Sequence, residues 1–225
     1  MTITDSARVT EELWPLAASV LERILVHPFL AGLASGDLDR RCFRYYVVQD
    51  THYLRSYARA LSLVGAHTPD ETGVRMFAGH AANAIAVERS LHADFLRELG
   101  EAVDERRTEP AGPTTLAYTS FQLAAAQACF VEGLGAVLPC YWLYREVGRA
   151  LAPQSSPEPL YARWIDTYAG EEFARIVTEV LALTDRAGEG LGEAERSRLR
   201  ESFAIAARYE WMFWDAAYRR ETWPV

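Results

Sequence analysis

The sequence has 225 residues, of which half are hydrophobic and 12% aromatic; its formal net charge is −8, and it contains no lysine. This composition supports a sizeable core and excludes a disordered chain, and the acidic balance argues against a nucleic-acid partner, which needs a basic surface. The absence of lysine also excludes catalysis through a lysine Schiff base.

Along the chain, apolar residues recur at helical spacing in long stretches that turn-forming residues separate. We predict helices over these ranges, in chain order: 9–26, 39–67, 71–99, 114–151, 160–168, 170–186 and 193–220. The segment HPFLAGLASGDL at 27–38 is predicted as a break, with Asp37 as a candidate N-cap for the next helix. Residues 100–113 and 152–159 are predicted loops, and we expect the helical pattern between them to break near Gly133 and Gly135.

No stretch shows the alternation and turn signals of paired strands, and the predicted loops have the length of helix connections rather than domain linkers. We therefore predict one all-α domain over residues 1–225, a bundle of about seven or more helices, with residues 1–8 as a loose lead-in. The longest uncharged run, 110–131, contains two prolines and several polar residues, so a membrane span is not expected.

The N-terminal stretch carries acids and lacks the apolar segment of a signal peptide. The three cysteines are too few and too irregularly spaced for a disulfide framework or a zinc site. We therefore expect a reduced, cytoplasmic protein.

One of these cysteines, Cys140, lies in the segment LPCYWLYREVG, directly after Pro139 and one helical turn before Tyr144. A proline inside a helix removes a hydrogen bond and tends to kink the helix, which can direct a neighbouring side chain into a cavity. Cys140 is thus a candidate nucleophile. The alternative is ordinary packing, because cysteine is among the most often buried residue types.

Two carboxyl groups occur in aromatic surroundings: Asp50 in YYVVQDTHYL and Glu210 in YEWMFWDAAY. A buried carboxyl must be paired, hydrogen-bonded or protonated, and a protonated one can act as a general acid near neutral pH. Each could instead face solvent from an exposed side of its helix. Four tyrosines near breakers or within apolar runs could line a pocket or fill the core: Tyr53, Tyr118, Tyr144 and Tyr168.

A metal site is the competing interpretation. Glu88 and His92 are four residues apart on one predicted helix, with His80 two turns earlier, and helical bundles can hold two irons between Glu and His side chains. No second set of ligands is evident, so we do not expect a metal. His27 and His67 are interpreted as packing or surface residues.

Five segments, in this order and spacing, identify a resemblance: FRYYVVQDTHYL, AYTSFQL, LPCYWLYREVG, WIDTYAGEEF and YEWMFW. Over nearly its whole length the chain resembles the TenA family, the thiaminase II or aminopyrimidine aminohydrolase proteins. The resemblance implies a heme-oxygenase-like fold without heme or another cofactor, assembled as a homotetramer. It also implies hydrolysis of the C–N bond of thiamin or 4-amino-5-aminomethyl-2-methylpyrimidine, which gives hydroxymethylpyrimidine for thiamin salvage.

The resemblance also implies roles for individual residues. Cys140 matches the nucleophile of the family's cysteine-containing branch, Glu210 its acid/base, and Asp50 the group that binds the ring nitrogen and exocyclic amine. Substrate-binding tyrosines are matched by Tyr53, Tyr118 and Tyr168, with Tyr144 near the thiol. His52 and Arg208 depart from residues common in the family, which leaves the preferred substrate open. A di-iron oxidase and a non-catalytic regulatory or binding protein remain the alternatives.

Overall fold

The computed structural model describes residues 8–100 and 109–225, except for the side chains of residues 87–93. Most of the predicted lead-in (1–7) and part of the predicted loop (101–108) lie outside this range. The described residues form nine helices and no strand, which confirms the all-α class. The helices are α1 (Val9–Leu25), α2 (Pro28–Ser35), α3 (Arg40–His67), α4 (Glu71–Glu98), α5 (Pro113–Ala128), α6 (Phe130–Leu151), α7 (Pro159–Ala169), α8 (Glu171–Gly188) and α9 (Glu193–Arg219).

The predicted break at 27–38 is wrong, because most of this segment forms α2. Pro28 occupies the first turn, where a missing N–H leaves no hydrogen bond unmade. The Nδ1 atom of His27 accepts a hydrogen bond from the Phe29 N–H at 3.1 Å, and Gly36 ends the helix in the left-handed conformation, with φ of 83°. The short helix therefore depends on local capping that apolar periodicity does not reveal.

Capping also corrects the predicted start of α3. The N-cap is Asp39 rather than Asp37: its carboxylate accepts a hydrogen bond from the Arg41 backbone N–H at 2.8 Å. An N-cap carboxylate of this kind satisfies an amide that has no partner within the helix.

The predicted break near Gly133 and Gly135 is misplaced, because both glycines lie inside α6 and the chain breaks at Cys129, which is fully extended. A Cβ atom added at Gly133 would lie 2.8 Å from the Cα atom of Ala126, and one at Gly135 would lie 2.5 Å from the carbonyl oxygen of Leu199. These glycines let α6 approach α5 and α9 closely rather than ending the helix.

The core contains an aromatic cluster that joins α3, α7 and α9. Tyr46 of α3 stacks on Trp214 of α9 with ring centroids 5.2 Å apart and an interplanar angle of 4°. Trp164 of α7 donates its indole N–H to the Tyr46 hydroxyl at 3.3 Å. All three side chains are fully buried, and aromatic burial of this kind is among the largest contributions to a core. The cluster fixes the three helices around one side of the cavity described below.

None of the described helices is by itself long and apolar enough to cross a bilayer. α1 and α2 reach that length and composition only when taken as a pair, and they meet at a bend of 58°.

Candidate active site

A cavity of about 120 Å³ lies among α3, α4, α6, α7 and α8. Five of the predicted site residues line it: Asp50, Tyr53, Cys140, Tyr144 and Tyr168. The other described lining residues are Leu54, Tyr57, Leu61, His80, Asn83, Ala84, Tyr141, Thr167, Phe173 and Ile176. The fold thus brings a thiol, a carboxyl group and several phenols from separate helices to one concave surface, which is typical of a small-molecule site.

Cys140 lies in the middle of α6 and is half-buried, with its side chain on the cavity wall. Burial raises the pKa of its thiol well above the usual value, and the negative charges of Glu210 and Asp50 raise it further. A hydrogen bond from the Tyr53 hydroxyl acts in the opposite direction, because it stabilises the thiolate. The thiol is therefore protonated at neutral pH, and its proton must be removed before it can attack a carbon atom.

Glu210 of α9 is 2% exposed. Its Oε1 atom accepts a hydrogen bond from the Tyr118 hydroxyl at 2.5 Å. Burial raises the pKa of Glu210 to about 8, the Tyr118 hydrogen bond opposes this increase, and the charge of Asp50 adds to it. At neutral pH Glu210 is consequently a neutral acid, with Oε2 available to carry the proton.

Asp50 of α3 is 3% exposed and lines the cavity. Its negative charge raises the pKa values of both Cys140 and Glu210. The charge of Asp50 therefore opposes ionisation of both Cys140 and Glu210, and the charge of Glu210 opposes ionisation of Cys140.

The predicted tyrosines occupy two different positions. Tyr53, Tyr144 and Tyr168 line the cavity, and the Tyr53 hydroxyl accepts a hydrogen bond from Gln122 Nε2 at 3.0 Å. Tyr118, in contrast, lies behind Tyr53, with ring centroids 5.2 Å apart, and its hydroxyl contacts Glu210. Its position suits control of the acid better than direct contact with a ligand.

Sequence reasoning missed several residues of the site. Tyr57 is four residues after Tyr53, and their rings stack with centroids 5.3 Å apart, so helical spacing from Asp50 through Tyr53 could have identified it. Tyr141 and His80, whose hydroxyl and Nδ1 atom are 3.0 Å apart, come from α6 and α4. No spacing within one helix relates these two residues.

The metal interpretation receives no support from the described residues, which contain no group of three His, Cys, Asp or Glu side chains arranged to hold an ion. The side chains of its main candidates, Glu88 and His92, lie outside the described part. His27 and His67, which were interpreted as packing or surface residues, contact the backbone: His27 caps α2, and His67 Nδ1 lies 3.1 Å from the Ala126 carbonyl oxygen.

Comparison with known proteins agrees with the motif resemblance. The TENA/THI-4/PQQC family model matches residues 14–220. The chain is 37% identical over 217 residues to the aminopyrimidine aminohydrolase of Bacillus subtilis, covering 96% of this chain and 92% of that one.

Solved structures extend the comparison to the fold. The TenA homologue of P. horikoshii superposes with a TM-score of 0.86 at 27% identity, covering 95% of this chain and 99% of that one. A domain from Shewanella denitrificans with a heme oxygenase-like fold gives a TM-score of 0.72 at 16% identity, covering 97% and 94%, and supports the fold alone. The heme-oxygenase-like all-α fold is thus confirmed, and the chain belongs to the TENA/THI-4/PQQC family.

Proposed function

We propose that this protein is an aminopyrimidine aminohydrolase, or thiaminase II. It hydrolyses the C–N bond between the pyrimidine methylene group and its amine, and the product is hydroxymethylpyrimidine for thiamin salvage. The observation that carries the proposal is the placement of Cys140 and Asp50 on one cavity, with the neutral acid Glu210 electrostatically coupled to both. The name of the Bacillus subtilis relative supports the same activity.

The residues that line the cavity can bind an aminopyrimidine through a carboxylate and aromatic rings. An aminopyrimidine is flat and presents N–H donors, and a carboxylate at Asp50 can accept a hydrogen bond from the exocyclic amine. The rings of Tyr144 and Tyr168, with centroids 4.8 Å apart, offer aromatic surface beside the same carboxylate. Asp50 thereby fixes the orientation of the ring relative to Cys140.

The first chemical step moves one proton and forms one bond. Glu210 donates its proton to a ring nitrogen and, as a carboxylate, takes the proton of the Cys140 thiol, so the thiol proton reaches the ring through Glu210. The thiolate sulfur forms a C–S bond to the ring, and the aromaticity of the ring is lost.

The second step breaks the C–N bond. The electron-rich adduct expels the amine together with the electron pair of that bond, which leaves an exocyclic methylene group. Water adds to this carbon, and the proton that it loses passes to the released amine or to solvent. The C–S bond then breaks, the ring nitrogen returns its proton through Glu210 to the departing thiolate, and the restored ring leaves as the hydroxymethyl product. Cys140 and Glu210 return to their starting protonation states, and no redox partner is required.

The test is hydrolysis of 4-amino-5-aminomethyl-2-methylpyrimidine and of thiamin by the wild type and by Cys140→Ser. A hydroxyl is a much weaker nucleophile than a thiolate, so we expect turnover to fall by about 100-fold or more, while binding of the pyrimidine product persists. Cys129→Ser is the matched control, because Cys129 lies at the start of α6 and is not among the described lining residues of the cavity. Normal turnover by Cys140→Ser would refute covalent catalysis.

Three further features form part of the proposal: a single domain, a homotetramer and a cytoplasmic location. Packing of α9 against α1, α3, α5 and α6 connects both ends of the chain and supports the single domain. Exposed apolar side chains such as Leu116, Ile205 and Met212 support burial between subunits. Sedimentation velocity would test the tetramer, for which we expect about four times the 25.2 kDa chain mass.

A further inference from the structure

The cavity has a closed end and a mouth. Asp50, Tyr57 and Tyr144 at the closed end are buried, whereas His80 and Thr167 are half-buried and Asn83 is exposed. In the binding mode proposed above, Asp50 holds the pyrimidine ring at the closed end, and the amine on its methylene group then extends towards the mouth. A bulkier leaving group also has room in that direction.

Building on the proposed function, we propose that the imidazole of His80 accepts a hydrogen bond from the ammonium group of the substrate, and thereby favours leaving groups that carry N–H bonds. Among the described lining residues, His80 is the one with a basic nitrogen. An aminomethyl group is protonated in water near neutral pH, and an ammonium group donates up to three hydrogen bonds. A quaternary thiazolium has no N–H to donate.

The proposal assigns to His80 the tautomer that carries its proton on Nδ1. The Tyr57 hydroxyl donates to the carbonyl oxygen of Val137 at 2.9 Å, and a carbonyl oxygen can only accept. The Tyr57 oxygen keeps its lone pairs, and the Tyr57 and Tyr141 rings lie side by side with centroids 5.8 Å apart. In the proposed arrangement the Tyr141 proton points towards the Tyr57 oxygen, and the Tyr141 oxygen accepts from His80 Nδ1, 3.0 Å away.

With the proton of the neutral ring on Nδ1, the Nε2 atom carries a lone pair and acts as an acceptor. This is the form that an ammonium ligand requires.

The surroundings keep the ring neutral. Burial lowers the pKa of His80, the positive charge of Arg175 lowers it further, and the negative charge of Glu179 opposes both. An imidazolium would repel the ammonium group, whereas the neutral ring attracts it. The Thr167 hydroxyl donates to the Arg163 carbonyl oxygen at 2.8 Å, so its oxygen can accept a second ammonium N–H.

The test compares two ligands that differ only in the amine: 4-amino-5-aminomethyl-2-methylpyrimidine and 4-amino-2,5-dimethylpyrimidine. Both are titrated calorimetrically at pH 7 into the full chain with Cys140→Ser, which prevents turnover. Adding His80→Leu should raise the Kd of the aminomethyl ligand by about tenfold or more, since a charged hydrogen bond is lost, and that of the dimethyl ligand by less than about twofold.

Two further variants separate this role from a structural one. Tyr141→Phe keeps the imidazole but removes the acceptor of Nδ1–H, so it should weaken the aminomethyl ligand selectively and by less than His80→Leu. His67→Leu is the matched control, because that imidazole contacts a backbone carbonyl and is not among the described lining residues of the cavity. It should change neither Kd.

Equal weakening of both ligands by His80→Leu, or no change in either, would overturn the role of His80 and leave the proposed function standing. If the Cys140→Ser protein binds neither pyrimidine, the proposed function fails, and the role of His80 fails with it.

Discussion

Replacement of Glu210 by glutamine should stabilise the protein relative to the wild type, and this difference should grow as the pH rises. The same substitution removes the proposed general acid. Burial raises the pKa of Glu210 in the folded protein from the usual 4.5 to about 8. Between these values the folded state holds a proton that the unfolded state has released, so the wild type loses stability as the pH increases. Glutamine does not titrate, and its carbonyl oxygen can still accept the Tyr118 hydrogen bond.

The magnitude follows from the two pKa values. Well inside this range, each pH unit removes about 1.4 kcal/mol from the free energy of unfolding of the wild type. Integrated from pH 5 to pH 7, the difference between Glu210→Gln and wild type should increase by about 2.5 kcal/mol in favour of the variant. Titrating groups that do not interact with Glu210 contribute equally to both proteins and cancel in the difference.

Urea unfolding at pH 5, 6, 7 and 8 measures this difference, since all other carboxyl groups are common to the two proteins. Glu189→Gln is the control for loss of a carboxyl group, because Glu189 is exposed at the end of α8. Hydrolysis by Glu210→Gln should meanwhile be reduced by about 100-fold or more, because a general acid is lost. Parallel stability curves for Glu210→Gln and wild type would refute the reasoning, since they would mean that the carboxyl is ionised in the folded protein at neutral pH.

The other predictions concern the partners of Glu210 and the approach of α6 to α7. Tyr118→Phe removes a hydrogen bond that lowers the pKa of Glu210, so the pH at which kcat falls on the alkaline side should increase. Asp50→Asn removes a charge that raises this pKa, so the same pH should decrease. Asp50→Asn should also weaken product binding by about tenfold or more, measured by calorimetry. A Cβ atom at Gly148 would lie 2.4 Å from the α7 backbone, so Gly148→Ala should reduce the free energy of unfolding by about 1–3 kcal/mol. Gly79→Ala in α4 is the control: its Cβ atom meets no atom within 4 Å, so it should be neutral or stabilising by up to about 1 kcal/mol. Unchanged stability of Gly148→Ala would contradict the packing prediction, and an unchanged pH profile of kcat in Tyr118→Phe or Asp50→Asn would contradict the pKa prediction.

Much of the fold was predictable because long amphipathic helices carry a strong periodic signal. The prediction for α3 differs from the structure by one residue at its start, and the end of α1 by one residue. The errors occur where local or tertiary contacts override periodicity. α2 is stabilised by its caps. Position 133 of α6 is a glycine because the backbone of α5 lies too close for a side chain, and not because the helix ends there.

The candidate site was predictable to a smaller extent. The aromatic surroundings of Asp50 and Glu210 indicated burial, and both are buried. Periodicity states which residues share a face of one helix, but not which faces of different helices meet. The contact between Tyr118 of α5 and Glu210 of α9, or between His80 of α4 and Tyr141 of α6, depends on that missing information.

The proposed mechanism gives Asp50, Glu210 and Cys140 different charge states in the free protein and in the complex with substrate. The charge of Asp50 raises the pKa values of Glu210 and Cys140, so ionisation of either group would add a further negative charge to one buried region. The free protein avoids this accumulation by keeping the thiol and Glu210 protonated. An ammonium group at the mouth brings a compensating positive charge, so ionisation becomes more favourable only when the substrate is bound. We propose that this coupling delays ionisation of the thiol until the substrate is bound.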